Sequence, residues 1–208
     1  MTSRALRYAC LGTVLAALTW SAIRPHAWGT WFFETIWAIA GLAMVLVSWR
    51  RFPLTTLLCV LLTVWALVLA YGGHTSYALT PLGTWLQDAL TLDRNPYDRI
   101  AHFIQGFVPA IAFREVLWRT SPLRGSRWLA PVAAAFCLSL SAFWELMEWF
   151  GAYLVAQGSP AFLGGQGDPW DTQWDMLLAL LGAVLSLLLL SRVHDRQLAV
   201  TSAALARA

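Results

Sequence analysis

An all-α polytopic membrane protein is the fold class that this 208-residue sequence predicts. It has six transmembrane helices and a short interfacial helix in the long outer loop. Three observations carry that expectation. Hydrophobic residues make up 59% of the chain and charged residues 12%, about half the charged share of a soluble domain. Six stretches approach the roughly 20 apolar residues that cross a bilayer core. The 14 basic residues are all Arg, and they gather at the ends of those stretches. A soluble core of this length has no room for so much apolar surface, which excludes a water-soluble enzyme. The net charge of +3 is scattered rather than striped, which excludes a nucleic-acid partner.

The spans fall at roughly 7–23, 31–49, 53–71, 99–118, 129–150 and 174–191 and form a single transmembrane domain over 1–208. The first resembles a signal peptide, with Arg4 and Arg7 before an Ala/Leu run. No convincing small-x-small cleavage site follows it and five more spans do, so it reads as a retained helix. The outer loop 72–98 holds Thr80-Pro81, an N-cap and first-turn pair. Leu82, Trp85, Leu86, Ala89 and Leu90 follow at helical spacing, the mark of an amphipathic helix lying in the interface. The outer loop 151–173 carries Gln157, Gly158, Gly164, Gly165, Gln166 and Gly167 and reads as a flexible cap. The sixth span is the most aliphatic. Trp28, Trp31, Trp49, Trp118, Trp128, Trp149 and Trp170 lie near span ends, as in an aromatic belt. Cys10, Cys59 and Cys137 have no metal-type spacing and read as small buried hydrophobes.

Sidedness follows from the Arg. With the N-terminus inside, Arg4, Arg7, Arg50, Arg51, Arg119, Arg124, Arg127, Arg192, Arg196 and Arg207 fall in inner loops. Only Arg24, Arg94 and Arg99 fall outside, and Arg114 sits in the last inner turn of its span. Both termini are therefore expected in the cytoplasm. The acids sort the opposite way. Nine of the 11 lie at or near outer span ends, leaving Glu115 and Asp195 at the inner side. Acids contribute little to topology, so their placement needs another cause.

Two spans open alike. Asn95-Pro96-Tyr97-Asp98 is followed four residues later by His102, and Asp168-Pro169-Trp170-Asp171 by Asp175. Helix-start chemistry accounts for the Asx, Pro and first-turn acid. It does not account for His102 or Asp175, one turn deeper on the same face. The fifth span ends with Glu145 and Glu148 at i, i+3 and similar depth. Asp98, His102, Glu145, Glu148, Asp171 and Asp175 are thus expected to share one outer cavity as catalytic groups, with His74 in the Gly72-Gly73-His74 turn joining them as a substrate-binding residue. That much carboxylate in a poorly solvated place requires protons, an Arg or a cation. Five of them, His102, Asp98, Glu145, Asp171 and Asp175, have the oxygen and imidazole donors of a Mg, Mn or Zn site. Arg99 is the expected partner for a headgroup phosphate or for Asp98. Gly106, Gly151 and Gly182 permit close helix contacts.

Three stretches carry a family resemblance: Tyr97-Asp98-Arg99-Ile100-Ala101-His102-Phe103, Phe143-Trp144-Glu145-Leu146-Met147-Glu148-Trp149, and Gly167-Asp168-Pro169-Trp170-Asp171-Thr172-Gln173-Trp174-Asp175-Met176. With the Gly73-His74 turn they resemble the YjdF-type family of bacterial inner-membrane proteins from about residue 70 onward. More distantly the chain is similar to VanZ-like proteins, in its acid-basic-x-x-His-Phe helix start and in Asp175 before Gly182, with Ala179 where those proteins carry Asn. The first resemblance implies a multi-helix inner-membrane protein and names no substrate. The second implies, by analogy, an envelope setting.

Three functions remain open at this stage. The first is an enzyme using the outer acidic and His groups, with or without a divalent cation, on a lipid-linked or envelope substrate. The second is a proton- or cation-coupled transporter, against which the spans offer few polar residues at mid-depth. The third is a structural or accessory protein whose polar cluster holds helices together. Glu115 beside Arg114 reads as a snorkelling pair, and His26 and His194 as solvated interface residues. No His-Glu-x-x-His, Gly-x-Ser-x-Gly or P-loop pattern is present. Oligomeric state is left open.

Overall fold

The computed structural model describes residues 4–154 and 166–205. Among them the chain is all-helical. Its elements are α1 (Arg4–Ser21), α2 (Trp28–Ser48), α3 (Thr56–Thr75), a 3-10 turn (Tyr77–Leu79), α4 (Pro81–Leu90), α5 (Tyr97–Thr120), α6 (Leu129–Leu154) and α7 (Asp171–Leu205). Five of these, α2, α3, α5, α6 and α7, are long and apolar enough to cross a membrane. The first helix is not among them: at 18 residues it has the length, but Arg4 and Arg7 occupy its first turn and dilute its apolar content.

The long helices alternate in direction and give the bundle two ends. The terminal end holds Arg4, the α2–α3 and α5–α6 connections and the last turns of α7. The loop end holds the α1–α2 connection, α4 and the starts of α5 and α7. At the loop end the His26 amide donates to the His74 carbonyl (2.9 Å), and the Tyr97 hydroxyl donates to the Val68 carbonyl (2.8 Å). At the terminal end Arg7 donates to the Trp49 carbonyl (2.7 Å) and Arg119 to that of Pro53 (2.9 Å).

The α5–α7 pair is the most extensive packing in the molecule, and small residues cause it. A Cβ on Gly106 would lie 1.7 Å from the Ala179 carbonyl oxygen, and one on Gly182 would lie 2.1 Å from that of Phe103. Lacking side chains there, the two backbones touch. Gly106 lies one turn beyond His102 and Ala179 one turn beyond Asp175, so this contact sets those two side chains face to face. One turn further along, α6 joins α5 and α7 in a core of Ala110, Ala133, Cys137, Ala183 and Leu187. Both α1 and α2 lean on α3 while barely touching each other. All three cysteines are free.

Interfacial α4 begins at the expected cap, with Thr80 before it and Pro81 at its first position. The Thr80 hydroxyl, however, bonds to the Tyr77 carbonyl (3.3 Å) rather than to the helix start. Leu82, Trp85 and Leu90 stand exposed, so none of the described residues covers the apolar face expected to lie on lipid. The last helix runs well past the expected boundary at 191, to Leu205. Arg192, His194, Asp195 and Arg196 end the apolar run without ending the helix, because His194, Leu198 and Thr201 stay buried on one face. Of the loop 151–173 expected to act as a cap, residues 155–165 lie outside the described residues.

Candidate functional site

The two matching helix starts are real and structurally alike. The Asn95 side-chain oxygen accepts from the Tyr97 amide (3.0 Å), and the Asp168 side chain accepts from the Trp170 amide (2.9 Å). Each is a local turn that presents the next helix. Asn95 does more. Its side-chain amide donates to the Thr80 carbonyl (3.1 Å), while its backbone exchanges two bonds of 3.0 Å with the Gln166 side chain. One buried Asn therefore ties α4, α5 and the segment before α7. Opposite it Gly83 is required, since a Cβ there would meet the Asn95 oxygen at 1.7 Å.

One turn into the bundle, Asp98, His102 and Asp175 are buried and present one donor atom each, all within 4.8 Å of one another. The His102 Nε2 atom stands 3.7 Å from an Asp98 oxygen and 3.6 Å from Glu145 Oε1. Those are ion-pair distances, too long for hydrogen bonds. Two buried oxygens here have no hydrogen-bond partner, Glu145 Oε1 and Asp175 Oδ1, and Gln105 is in hydrogen-bonding reach of His102. Thr172 is in hydrogen-bonding reach of Glu145. Glu148 is half-buried and within electrostatic reach of Asp98, Glu145 and Asp175.

Above this layer lies a paired rim. Arg94 meets Asp171 in a short hydrogen bond, stands 3.6 Å from Asp98 and lies 3.9 Å from Asp168. Arg99 donates to Asp168 at 2.5 Å, with its guanidinium 5.9 Å from the Trp174 ring centre. Asp171 is thus the counter-ion of Arg94, and Arg99 serves Asp168 rather than Asp98. His74 lies elsewhere. Its Nδ1 is 3.0 Å from the Ser21 carbonyl and its ring is 4.5 Å from that of Trp20, which spends it on the seam between α1 and α3.

Sequence reasoning missed Arg94 and Glu34. Arg94 sits four residues before Asp98, a spacing that could have marked it. Glu34, the lone acid of α2, is buried with one oxygen unpartnered and feels Asp98. Burial, then Glu34 itself, pushes the Tyr77 phenol well above its ordinary range, so it stays protonated and bonds to Glu34. Behind His102 lies a cavity of roughly 20 Å³ lined by Trp37, Trp65, Gln105 and Trp144, room for about one water.

A second polar cluster lies at the terminal end and corrects two expectations. Glu115 is not a snorkelling residue and His194 is not solvated: both are 0% exposed. Glu115 accepts from the Thr55 amide (3.1 Å) and the Thr55 hydroxyl (2.6 Å). It also lies 2.6 Å from Arg119 and 2.9 Å from His194 Nε2. Arg114 stands 3.0 Å from His194 Nδ1 and donates to Asp195 at 2.6 Å. Since Arg can only donate, Nδ1 accepts and Nε2 carries the proton toward Glu115.

A family model described as predicted membrane protein (DUF2238) matches residues 6–196, which include every residue named in both clusters. The chain is 43% identical over 186 residues to the inner membrane protein YjdF of Escherichia coli (strain K12), covering 89% of each chain. No solved structure matches it. The family match and this relative carry the first of the two resemblances; neither bears on the VanZ-like one.

Proposed function

The chain belongs to the DUF2238 family of predicted membrane proteins, and from that premise we propose a multi-pass inner-membrane protein that holds a divalent cation at Asp98, His102 and Asp175. The cation would bind the phosphate of a lipid-linked envelope substrate at the loop end. One observation supports this above the rest: three donor atoms converge within 4.8 Å beside buried oxygens of Asp175 and Glu145 that no hydrogen bond satisfies. Buried carboxylate oxygens are ordinarily paired, and at the terminal end those of Glu115 are. Two carboxylates and an imidazole suit Mg, Mn or Zn, with Glu145 as the next ligand or as acceptor for a proton. A divalent cation there supplies charge for a phosphate oxygen and acidifies a bound water. Arg99, on the rim and a third exposed, is the group to meet a second phosphate oxygen.

The transport reading has less support. Between Gln105 and Arg114 the buried face of α5 is Gly106, Val108, Pro109, Ala110 and Ile111, which carries no polar side chain from one cluster to the other. In the membrane, α1 is the sixth span. Its length, about 27 Å at 1.5 Å per residue, matches its neighbours, and Arg7 and Ser21 bond to α2 at opposite ends. The Arg-rich terminal end then faces the cytoplasm with both termini, and the acidic site faces outward.

Elemental analysis of the detergent-purified protein, with identification of co-purified lipid, tests the proposal. The expected result is a stoichiometric divalent metal that Asp175→Asn and His102→Ala abolish, and a phosphate-bearing lipid retained only with it. Protein that holds no metal, and that no divalent ion stabilises, overturns the cation reading.

A further inference from the structure

Far from the acidic site, an apolar groove runs along α1, α2 and α3 from the terminal end toward mid-depth. Leu11, Val14, Gly41, Val45, Leu62 and Ala66 line it, with Arg7 and Trp49 at its mouth and Trp37 and Trp65 at its inner limit. It exists because α1 and α2 each pack on α3 but scarcely on one another. From Trp49 to Trp37 is 12 residues of α2, about 18 Å at 1.5 Å per residue. Half of a roughly 30 Å hydrocarbon core is about 15 Å, the reach of one lipid chain.

The mouth is basic and aromatic. The Arg7 guanidinium lies 4.0 Å over the Trp49 ring while donating to the Trp49 carbonyl. Next to it opens a shallow depression lined by Tyr8, Arg50 and Arg51, which shares Leu11 and Trp49 with the groove. Arg50 and Arg51 are exposed and form no ion pair among the described residues. The acids of this end are engaged elsewhere, Glu115 with Arg119 and Asp195 with Arg114.

We infer that this groove seats one acyl chain of an anionic phospholipid whose phosphate rests on Arg50 and Arg51. Chain length matches the groove, charge matches the mouth, and the aromatic rim of Tyr8 and Trp49 lies where headgroups meet hydrocarbon. The lipid fills the wedge between α1 and α2 that side chains leave open. Gly41 provides the means to test it, because a Cβ there meets nothing within 4 Å. A larger side chain at 41, on the groove's lining, can be introduced with no Cβ clash and improves helix propensity.

Native mass spectrometry of delipidated protein, titrated with phosphatidylglycerol or phosphatidylcholine of equal chain length, measures the site. Wild type should retain phosphatidylglycerol preferentially. Arg50→Gln/Arg51→Gln should lower that preference roughly thirtyfold, the loss expected for two juxtamembrane arginines. Gly41→Leu should abolish retention of either lipid while keeping the wild-type melting temperature or better. Equal binding of the two lipids by wild type, or unchanged occupancy in folded Gly41→Leu, overturns the inference. Should Gly41→Leu not fold, the exposed Arg pair decides alone. None of these outcomes depends on a metal at the acidic site.

Discussion

Glu115 and Asp175 are both carboxylates buried in the same bundle, and α5 and α7 complete the surroundings of each. They differ in how they are answered. Glu115 has Thr55 donating twice, His194 donating once and Arg119 beside it. Asp175 keeps an oxygen with no hydrogen bond, next to an unpartnered Glu145 oxygen. Burying a carboxylate without partners costs several kcal/mol, on the order of 2–7 even for a neutral polar group. A molecule that answers the buried carboxylate on both oxygens at one end and leaves one oxygen open at the other treats the two carboxylates differently, although guanidinium nitrogens of Arg114 and Arg119 also lack hydrogen-bond partners. The satisfied cluster locks helices. The unsatisfied one is where we propose a cation.

Substitutions sharpen that contrast, and the largest effect belongs to the lock. Glu115→Ala strands His194, Arg119 and Thr55, and should cost about 3–5 kcal/mol, read by thermal or denaturant unfolding in detergent. Whatever folds should still bind divalent metal. If this variant melts like wild type, the lock is not structural. Next is the open site. Saturating wild type with its metal at a hundredfold excess over Kd should add about 2.7 kcal/mol of stability, and chelator should remove it. Asp175→Asn should lose that response. In chelator it should be about as stable as wild type, because the Asp175 oxygen it replaces has no hydrogen bond to lose. A strong loss of stability for Asp175→Asn in chelator would make the two clusters alike and break the comparison.

Gly106→Ala probes what links them. Its Cβ meets the Ala179 carbonyl, so α5 and α7 must part, at a cost of about 1–3 kcal/mol. Metal affinity should fall with it, since the donors of Asp98 and His102 ride on one helix and that of Asp175 on the other. The smallest effect lies outside both clusters. Trp85→Ala on exposed α4 should change stability by less than about 0.5 kcal/mol and leave metal content alone.

The difference between the ends also explains what could be read from sequence. The open site was legible because its residues repeat a helix-start pattern at two places, and each repeat adds an ionisable group at i+4. Local chemistry put them at one depth, and Gly106 and Gly182 brought the helices together. The lock was not legible. Glu115 adjoins Arg114 in sequence, which invites reading them as a pair, yet neighbours in a helix point about 100° apart and each found partners on other helices. His194 was misread because charges around it end the hydropathic run, although the helix continues with a buried face. The Thr55 contribution depends on where α3 starts against α5, a long-range fact. His74 shows the opposite error: right in depth and side, it was claimed by α1.

Manufacture of the protein inherits a constraint from the placement of these clusters. Of the five apolar helices α5 has the lowest mean hydropathy, 1.3, and α7 the highest, 2.3. The buried face of α5 carries Asp98, His102, Arg114 and Glu115, while Asp171, Asp175, His194 and Asp195 belong to α7. During translation those partners leave the ribosome after α5 and α6 have already met the insertion machinery. Until they arrive, α5 is a polar segment with half its contacts missing, a poor candidate for release into lipid on its own. Topology is therefore expected to mature late, with α7 drawing α5 into place as it inserts. A nascent chain halted before residue 171 should leave α5 incompletely inserted, a state that a tag on the α4–α5 connection would report, and degradation of such fragments would keep a half-built site from persisting in the membrane.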